Sequence, residues 1–436
     1  MSSPLRIGIA GLGTVGAAVI QMLARQSAAL EKLSGRRVRV VAVSARDPAK
    51  ERGFDPAQFV WFDDAVKLAQ SPDIDLFVEL VGGEEGAARE AVEAALRAGN
   101  HVVTANKALL ARHGTALAQL AEHHKVALAF EASVAGGIPI VKTLREGLAG
   151  NAVERVYGIL NGTCNYILSR MESEGLTFEA CLAEAQRLGY AEADPTFDIG
   201  GFDTAHKLAI LTTLAFGTKI DAEAIHIEGI QSITLPDLKA AEELGYRVKL
   251  LGVAQRTAKG IEVRVHPTMV PRSSAIAQVM GVTNAVTIDT DALHELTLIG
   301  PGAGGAATAS AVVADIADIA KGQRLAPFGR PVASLEAAPR IPMQRHEGGY
   351  YIRLSVADRP GAAAAIATRM AERQISLESI VQRRHPSRGS PVAAGPVPVV
   401  LVTYATTETT IREALARVVA DGFVAGEPQV IRIERE

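Results

Sequence analysis

The run Gly11-Leu12-Gly13-Thr14-Val15-Gly16 lies between the apolar segment Arg6–Ala10 and a helical pattern that extends from Thr14 to about Lys32. In such a run the first glycine permits a tight turn, the second admits a pyrophosphate, and the third allows helix and strand to pack closely. The helix start offers free N–H groups and positive potential to phosphate. The stretch predicts a dinucleotide-binding turn, with cofactor contacts at Gly11, Gly13, Thr14, Val15 and Gly16.

Further strand and helix patterns follow this turn in alternation. Apolar, β-like runs occur at Val38–Ser44, Leu76–Val81, His101–Thr104 and Val126–Glu131, and Gly86–Arg97 has the composition of a helix. Alternating strands and helices indicate βαβ units and a parallel sheet. We expect residues 1–137 to form a Rossmann-type nucleotide-binding domain, to which a helix within residues 301–322 returns.

Two basic residues follow the second predicted strand. An acidic side chain at this position binds the ribose hydroxyl of NAD, whereas an arginine suits the 2′-phosphate of NADP. Arg46 is close to this position, and Lys50 lies four residues further on. We therefore expect a preference for NADP over NAD. In the alternative, Asp47 binds the ribose hydroxyl and both cations are ordinary surface charges.

The composition sets the class of protein. The 436 residues suffice for two or three domains, and 48% of them are apolar. The formal net charge is -3, and no run of Lys and Arg suggests a nucleic-acid groove. Cys164 and Cys181 are too few for a disulfide framework. Because a signal-peptide pattern and a long apolar stretch are both missing, we expect a cytoplasmic protein without a membrane partner.

The remaining chain divides into two further predicted units. Residues 138–300 mix strand and helix patterns and predict an α+β domain, and prolines mark residues 323–348 as a linker. Residues 349–436 show the order strand, helix, strand, strand, helix, strand, which is that of a split βαβ, ferredoxin-like unit. The predicted fold class is α/β, with an N-terminal parallel sheet, an α+β second domain and a C-terminal βαββαβ domain.

An acidic stretch, Gly189–Lys207, carries the strongest chemical signal. Four carboxylates in one loop and the start of a helix cost repulsion unless a cation is present; they belong to Glu192, Asp194, Asp198 and Asp203. Asp203 and Lys207 are spaced to share one helical face. A lysine beside a carboxylate can donate a proton to a carbonyl oxygen. In the alternative, the two form a solvated ion pair.

Three other motifs lie where ligands bind or domains meet. Lys107 follows a predicted parallel strand, at the sheet edge that holds ligands. Asn161–Tyr166 closes a strand and opens a helix whose N–H groups suit a carboxylate. Within it, Cys164 is either a nucleophile or a small buried residue. The run Glu131–Pro139 offers a carboxylate and carbonyl oxygens to a hard cation, or is a plain hinge.

Taken in order, these motifs resemble those of the homoserine dehydrogenases over nearly the whole chain. Gly189–Lys207 is the most specific of them, and Gly11–Gly16 is the least. The resemblance implies reversible NAD(P)H-dependent reduction of L-aspartate 4-semialdehyde to L-homoserine, on the route to threonine, methionine and isoleucine. It also implies that residues 138–300 serve catalysis and dimerisation.

The resemblance also implies roles for the site residues. Lys207 and Asp203 would be catalytic, with Lys207 as the proton donor. Substrate contacts are implied for Glu192, Asp203, Asp198, Thr163, Tyr190 and Lys107. Lys107 would also face the cofactor, and we expect two further cofactor contacts at Gly189 and Gly304. A structural sodium ion is implied at the carboxylate of Glu131 and at the carbonyl oxygens of Val134, Gly136 and Ile138.

The C-terminal unit resembles an ACT domain. Asp358-Arg359-Pro360-Gly361 lies at the predicted strand-to-helix turn, where that family binds small amino acids. This implies threonine as an effector, or, in the alternative, a unit that serves dimerisation alone. The family suggests a homodimer, or a homotetramer if the C-terminal units pair again.

Three rival interpretations stay open at this stage. An aspartate-semialdehyde dehydrogenase needs a cysteine nucleophile, for which Cys164 is the candidate. A phosphoglycerate dehydrogenase also joins a nucleotide-binding domain to an ACT domain, but that domain is inserted mid-chain, whereas the glycine turn here begins at Gly11. A non-catalytic amino-acid sensor would need neither Lys207 nor the acidic stretch.

Overall fold

A computed structural model describes residues 3–337, 341–343, 346–382 and 396–434. Its first part is a six-stranded sheet in the order β3-β2-β1-β4-β5-β6, and every pairing within it is parallel. This is the doubly wound nucleotide-binding order. The elements are β1 (Leu5–Ala10), α1 (Thr14–Arg25), α2 (Ser27–Ser34), β2 (Val38–Ser44), β3 (Val60–Phe62), α3 (Ala65–Ala69), β4 (Leu76–Glu79), α4 (Ala87–Arg97), β5 (His101–Thr104), α5 (Lys107–His124) and β6 (Leu128–Ala129).

The second part mixes helices with long antiparallel strands, as the α+β prediction requires. Its elements are α6 (Ile140–Lys142), β7 (Val153–Ile159), α7 (Gly162–Glu174), α8 (Phe178–Arg187), α9 (Thr196–Ile199), α10 (Phe202–Phe216), β8 (His226–Ile227), α11 (Leu235–Glu243), β9 (Tyr246–Thr257), β10 (Gly260–Pro271), β11 (Thr283–Thr290), β12 (His294–Pro301) and α12 (Gly305–Ala320). The last helix packs on α1, and Val312 and Ile316 of α12 share an apolar core with Val19 and Leu23 of α1.

The third part is the predicted βαββαβ unit. It contains β13 (Glu347–Val356), α13 (Ala362–Glu372), β14 (Leu377–Gln382), β15 (Val397–Thr403), β16 (Thr406–Thr407), α14 (Glu408–Ala420) and β17 (Gln429–Ile433). Its strand order is β17-β13-β15-β14. The predicted loop at residues 385–396 lies almost entirely outside the described residues, as do residues 338–340, 344 and 345 of the predicted linker. The predicted fold class is confirmed for all three parts.

The second and third parts share one sheet, which the sequence did not indicate. Its strands follow the order β12-β11-β7-β9-β10-β17-β13-β15-β14. The junction is a parallel pairing of β10 with β17, in which Thr268 lies opposite Arg432 and Met269 opposite Ile433. Strand β17 therefore belongs to the βαββαβ unit and to the sheet of the second part together.

Three element predictions differ from the structure. The helix predicted from Thr14 to about Lys32 is interrupted at Gln26. The strand predicted at Val126–Glu131 shortens to β6, because Phe130 leaves the β region at φ -152° and ψ 33° and a 3₁₀ turn begins at Glu131. Strand β12 was not predicted, because it is a largely exposed edge strand without a clear apolar alternation.

No helix of the described residues has the length and apolar character that crossing a bilayer requires. The cores instead fill with small and aliphatic side chains. In the third part, for example, Ile352, Ile366, Leu401 and Ile411 are buried together between strands and helices. Burial of such side chains is the main favourable contribution to folding.

Candidate active site

The glycine turn after β1 is closed to side chains at two positions and open at the third. Gly11 has φ 92°, and a Cβ there would lie 2.3 Å from the carbonyl oxygen of Leu80. A Cβ on Gly16 would lie 2.0 Å from the carbonyl oxygen of Gly11. Gly13 is exposed, with no atom within 4 Å of a built Cβ, and it begins α1 without a side-chain cap. Free N–H groups at an open helix start fit a dinucleotide pyrophosphate.

Two contacts shape the rim of this turn. Glu79 is fully buried at the end of β4, and its carboxylate accepts hydrogen bonds from the backbone N–H groups of Val81 and Gly82, at 2.8 and 2.9 Å. The Thr104 hydroxyl donates to the same carboxylate. Gly304 is exposed just before α12, and a Cβ on the next residue, Gly305, would lie 3.0 Å from the Thr14 side chain. The predicted contact at Gly304 is thus beside the glycine turn.

The end of β2 presents basic side chains to solvent. Arg46 and Lys50 are exposed there, as a phosphate contact requires. Asp47 turns toward its own loop, where its Oδ1 accepts a hydrogen bond from the Ala49 N–H at 2.9 Å. Sequence reasoning missed Arg52, whose Nε donates to the carbonyl oxygen of Leu12 in the glycine turn at 3.1 Å. No motif contains Arg52, so only the fold could reveal its proximity.

The substrate side is organised around the buried carboxylate of Asp203. Its Oδ2 accepts a hydrogen bond from Lys207 Nζ at 2.7 Å, and its Oδ1 lies 2.9 Å from Lys107 Nζ. Lys207 also donates to the carbonyl oxygen of Leu160 at 2.6 Å. Lys107 is the first residue of α5 in the nucleotide-binding part, whereas Asp203 and Lys207 lie on α10 in the second part. The contact therefore joins the nucleotide-binding part to the second part.

The charges of this triad depend on one another. Burial alone would raise the pKa of Asp203, but Lys207 and Lys107 outweigh it and hold the pKa well below the usual range. Burial lowers the pKa of Lys207, Asp203 opposes this effect, and Lys107 adds to it. Burial also works to lower the pKa of Lys107, which Asp203 more than reverses. Asp203 is therefore ionised, and Lys207 has a weakened hold on its proton.

A second carboxylate lies beside this triad. Asn161 donates from Nδ2 to Asp198 Oδ1 at 2.8 Å and to Asp203 Oδ2 at 2.9 Å, and its Oδ1 caps α7 through the Cys164 N–H. Burial, followed by the charge of Asp203, raises the pKa of Asp198. Asn161 was not among the predicted site residues, although an asparagine just before a helix is a typical N-cap.

The remaining predicted substrate contacts lie around this pair. The Thr163 hydroxyl donates to the Tyr190 carbonyl oxygen at 2.6 Å and lies 3.5 Å from Asp198 Oδ2. The Tyr190 ring is 43% exposed and packs edge-on against Tyr166. Gly189 is exposed at the end of α8. The Thr163 side chain thus lies next to Asp198, whereas Tyr190 contacts Thr163 only through its backbone carbonyl oxygen.

The four carboxylates of the acidic stretch do not all face the lysines. Glu192 is exposed, although its charge is among those that favour the charged form of Lys107. Asp194 is exposed and accepts a hydrogen bond from the Thr196 N–H at 3.0 Å, which starts the short helix α9. The pair that faces the lysines is therefore Asp198 and Asp203.

The loop from Glu131 to Ile138 contains a buried carboxylate of a different kind. Glu131 is 2% exposed, and its oxygens accept hydrogen bonds from the backbone N–H groups of Val141 and Lys142, at 2.9 and 2.8 Å. Burial, and then the charge of Asp315, raises the pKa of Glu131 to about 7. The Ile138 carbonyl already accepts a hydrogen bond from the Ile140 N–H at 2.8 Å.

The donor set of this loop fits a weakly bound hard cation. Gly136, at φ 54°, packs so closely on Gly302 that a Cβ would lie 2.4 Å from its carbonyl oxygen. Val134 is fully buried beside it. Within the described ranges no group of three or more His, Cys, Asp or Glu side chains is placed to hold a metal ion, so carbonyl oxygens would have to supply most of the ligands here. One carboxylate with carbonyl oxygens suits a hard ion of low charge.

Cys164 lies close to the acidic pair but lacks the properties of a nucleophile. Its side chain is fully buried, and its Sγ lies 3.2 Å from the carbonyl oxygen of Asp198. Burial, with the charges of Asp198 and Asp203, raises the pKa of the thiol well above its usual value. A thiolate is the reactive form of cysteine, so this environment opposes nucleophilic attack.

Comparisons with known proteins agree with this geometry. Residues 11–131 match the family described as "Homoserine dehydrogenase, NAD binding domain", and residues 139–317 match "Homoserine dehydrogenase". Residues 350–420 match the ACT domain. The matched regions contain the glycine turn, the Asp203–Lys207 pair and the βαββαβ unit without its last strand, in that order.

Full-length relatives match over almost the whole chain. The homoserine dehydrogenases of Neisseria gonorrhoeae and Pseudomonas aeruginosa are each 43% identical, over 99% of this chain and 99% of theirs. The crystal structure of a homoserine dehydrogenase from Thiobacillus denitrificans has a TM-score of 0.92 at 43% identity and covers 99% of this chain and 98% of its own. A hyperthermophilic archaeal homoserine dehydrogenase in complex with NADPH has a TM-score of 0.62 at 29% identity, over 72% of this chain and 97% of its own. The chain therefore belongs to the homoserine dehydrogenase family, and it is an NAD(P)-dependent oxidoreductase with a C-terminal ACT domain.

Proposed function

We propose that the protein reduces L-aspartate 4-semialdehyde reversibly to L-homoserine with NADPH, in the cytoplasm, on the route to threonine, methionine and isoleucine. The observation that carries this proposal is the buried Asp203, with Lys207 Nζ at 2.7 Å and Lys107 Nζ at 2.9 Å. The three residues meet where the nucleotide-binding part faces the second part. A charged, proton-bearing centre beside a cofactor turn is what carbonyl reduction requires.

Lys207 is the proton donor in this proposal. Asp203 and Leu160 accept two of the three N–H donors of its ammonium group. The third can point at the aldehyde oxygen and stabilise the negative charge that develops there. The lysine then transfers its proton to that oxygen and becomes neutral, and in the reverse direction neutral Lys207 takes the proton from the homoserine hydroxyl.

The neighbouring side chains bind and orient the amino-acid substrate. The carboxylates of Asp198 and Glu192, together with Asp203, supply the negative charge that an α-ammonium group needs. Asn161, which donates to Asp198 Oδ1 at 2.8 Å, fixes the position of Asp198, and the Thr163 hydroxyl lies 3.5 Å from the other carboxylate oxygen. In this proposal Lys107, whose Nζ lies 2.9 Å from Asp203 Oδ1, faces the cofactor and supplies a positive charge beside the reacting carbonyl.

The cofactor proposed here is NADP, with NAD as the weaker alternative. Its pyrophosphate would lie on the open start of α1, held by Gly11, Gly13, Thr14, Val15 and Gly16, with Gly304 and Gly189 at the rim. Arg46 would hold the 2′-phosphate, a role supported by the exposure of Arg46 and by the internal hydrogen bond of Asp47. The archaeal relative in complex with NADPH gives further support. The bound cofactor supplies the hydride for the aldehyde carbon.

A sodium ion in the Glu131 loop is proposed as a structural element. Glu131 would supply the carboxylate, and Val134, Gly136 and Ile138 the carbonyl oxygens. The carboxylate contacts backbone amides rather than a cationic side chain, so an ion would provide counter-charge. The loop connects the two parts that flank the active site, and a bound ion would stiffen that connection.

The remaining proposals concern regulation and assembly. The ACT domain points to a small-molecule effector, for which threonine is proposed, and to a homodimer or homotetramer. The proposed domains are residues 1–137 with the helix region 301–322, residues 138–300, and residues 349–436 after a linker at 323–348. Catalysis and dimerisation are assigned to residues 138–300.

Absorbance at the nicotinamide band tests this function. Purified protein is mixed with L-homoserine and NADP or NAD, with and without threonine. Homoserine-dependent reduction that is faster with NADP supports the reaction and the cofactor, and inhibition by threonine supports the effector. A Cys164→Ala variant in the same assay should keep its turnover within about twofold, because no covalent step uses the thiol. Loss of activity in that variant alone would favour aspartate-semialdehyde dehydrogenase chemistry instead.

A further inference from the structure

Strand β17 pairs with the sheet of the second part and carries a buried cation, Arg432. Strand β17 pairs with β10, and the Glu434 N–H extends this pairing by donating to the Met269 carbonyl oxygen at 3.0 Å. Arg432 in β17 is 2% exposed. A buried guanidinium is costly unless its donors are satisfied, so its partners are structurally important.

The main partner of Arg432 lies outside the C-terminal unit. Its two terminal nitrogens donate to the two carboxylate oxygens of Glu228, at 2.6 and 2.8 Å. Within the C-terminal unit, Glu408 receives the other contacts, at 2.9 and 3.2 Å. Bidentate ion pairs of this kind define both the distance and the relative orientation of the two side chains. Glu228, which follows the short strand β8, is thus held in place by the C-terminal strand.

The backbone next to Glu228 packs closely against the backbone between Asp198 and Asp203. The Ile230 N–H donates to the carbonyl oxygen of Ile199 at 2.9 Å. Gly229 fits so closely that a Cβ would lie 2.3 Å from that oxygen and 2.8 Å from the Cα of Gly200. These are backbone contacts, which cannot adapt by a change of rotamer. The Glu228 N–H also donates to the Val265 carbonyl oxygen at 2.8 Å, and its carboxylate lies 2.8 Å from His226 Nε2. A displacement of the backbone at Glu228 would move the backbone of residues 199–201 with it.

We infer that Arg432 and Glu228 are positioning residues of the substrate pocket, through which the C-terminal strand sets the backbone at residues 199–201 and so places Asp198 and Asp203. This inference rests on the proposed function, because the pocket it concerns is the proposed substrate site. It differs from effector binding, since the contact is made between side chains of the chain itself. The C-terminal unit is then part of the structure that makes the substrate site competent.

The chain offers a matched control for this contact. Arg353 in β13 also pairs with a carboxylate of the second part, donating to the Asp237 oxygens at 2.6 and 3.1 Å. Asp237 lies in the first turn of α11 rather than in the segment next to residues 199–201. Loss of this pair weakens the same junction without acting on Asp198 and Asp203.

Steady-state kinetics of the full-length protein test the inference. In Glu228→Gln, Arg432 retains its ion pair with Glu408, so the junction between β17 and β10 stays assembled. The contact between Arg432 and residues 228–230 becomes weaker. The KM for homoserine should rise about fivefold, a typical coupling between distant groups, while kcat and the KM for NADP stay within about twofold. Gly229→Ala should raise the same KM without touching an ion pair, and Arg353→Met should not.

Hydrogen–deuterium exchange gives a readout that needs no activity. Amides of residues 198–204 should exchange faster in Glu228→Gln and Gly229→Ala than in the unaltered protein, and at the unaltered rate in Arg353→Met. Unchanged exchange in both test variants, or equal acceleration in Arg353→Met, would overturn the inference. A protein that shows the predicted exchange but oxidises no homoserine would contradict the proposed function and leave the positioning contact standing.

Discussion

Two buried carboxylates, Asp203 and Glu131, lie on the connections between the nucleotide-binding part and the second part, and their surroundings differ. Asp203 contacts two lysine ammonium groups, which hold its pKa well below the usual range against the effect of burial. Glu131 contacts backbone amides and has Asp315 nearby, and its pKa rises to about 7. Side-chain cations keep a buried acid ionised, whereas amide hydrogen bonds alone do not offset the cost of burial and a like charge.

The difference separates a proton-transfer centre from an ion-binding loop. The lysines that neutralise Asp203 are themselves altered by it, so a proton can be gained and lost within this group. Among the described residues no cationic side chain forms an ion pair with Glu131, and the charge of Lys142 offsets only part of the effect of burial, so an external cation can add counter-charge. The two sites should therefore respond to mutation in different ways.

The largest expected effect is on turnover in Lys207→Ala. Loss of a positioned general acid costs about 100- to 10,000-fold in rate, and kcat should fall by that order while NADPH binding, measured by its fluorescence, is retained. Lys321→Ala is the matched control, because Lys321 forms an ion pair with Asp318 at the end of α12. Full turnover in Lys207→Ala would remove this lysine from the mechanism.

Asp203→Asn should reduce kcat/KM for homoserine by about 150- to 5,000-fold, since loss of one partner of a buried pair costs about 3–5 kcal/mol. The amide leaves Lys207 and Lys107 close together without a counter-charge. The same substitution at the other site, Glu131→Gln, should change kcat/KM by less than about threefold, as expected for a structural residue. Equal losses in the two variants would abolish the distinction between the sites.

Arg46→Ala should weaken NADPH binding by about 10- to 100-fold, the range expected for a lost charge-assisted contact of about 1.5–3 kcal/mol. NADH lacks the 2′-phosphate, so its binding should change little. Titration of both cofactors by fluorescence quenching measures the ratio. An equal loss for the two cofactors would refute the phosphate role, and Arg52 would then be the next cation to test.

The smallest effect is expected from ion binding. Replacing choline chloride by sodium chloride at constant ionic strength should raise the Tm by about 2–4 °C, the shift that about 1 kcal/mol produces in a protein with large domains. Glu131→Gln should remove this difference between the salts. A sodium effect that persists in that variant would locate the ion elsewhere.

The sequence revealed the parts of the site that local structure determines. The glycine turn was predictable because its strand, turn and helix follow one another within a short stretch, although the close contact of Gly11 is with Leu80 after β4. Asp203 and Lys207 were predictable because helical spacing brings them together. Lys107 was placed at the correct sheet edge by the position of its strand.

What the sequence could not show depends on distant segments. Asn161 bridges two carboxylates only because α7 and α10 meet, and Arg432 reaches Glu228 only because β17 joins the catalytic sheet. Asp194 lies apart from the lysines, because its carboxylate accepts a hydrogen bond from the Thr196 N–H in its own turn. Spacing along the chain identifies neighbours on one helix, but it does not identify neighbours across a sheet.

The pH dependence of kcat for homoserine oxidation tests most directly whether Asp203 controls the proton on Lys207. Oxidation needs neutral Lys207, so kcat should rise with pH through the pKa of this group. The negative charge of Asp203 raises that pKa, whereas burial and Lys107 lower it. In Asp203→Asn the inflection should therefore move to lower pH, with the residual activity that remains. An inflection at the same pH in both proteins would contradict the control of Lys207 by Asp203.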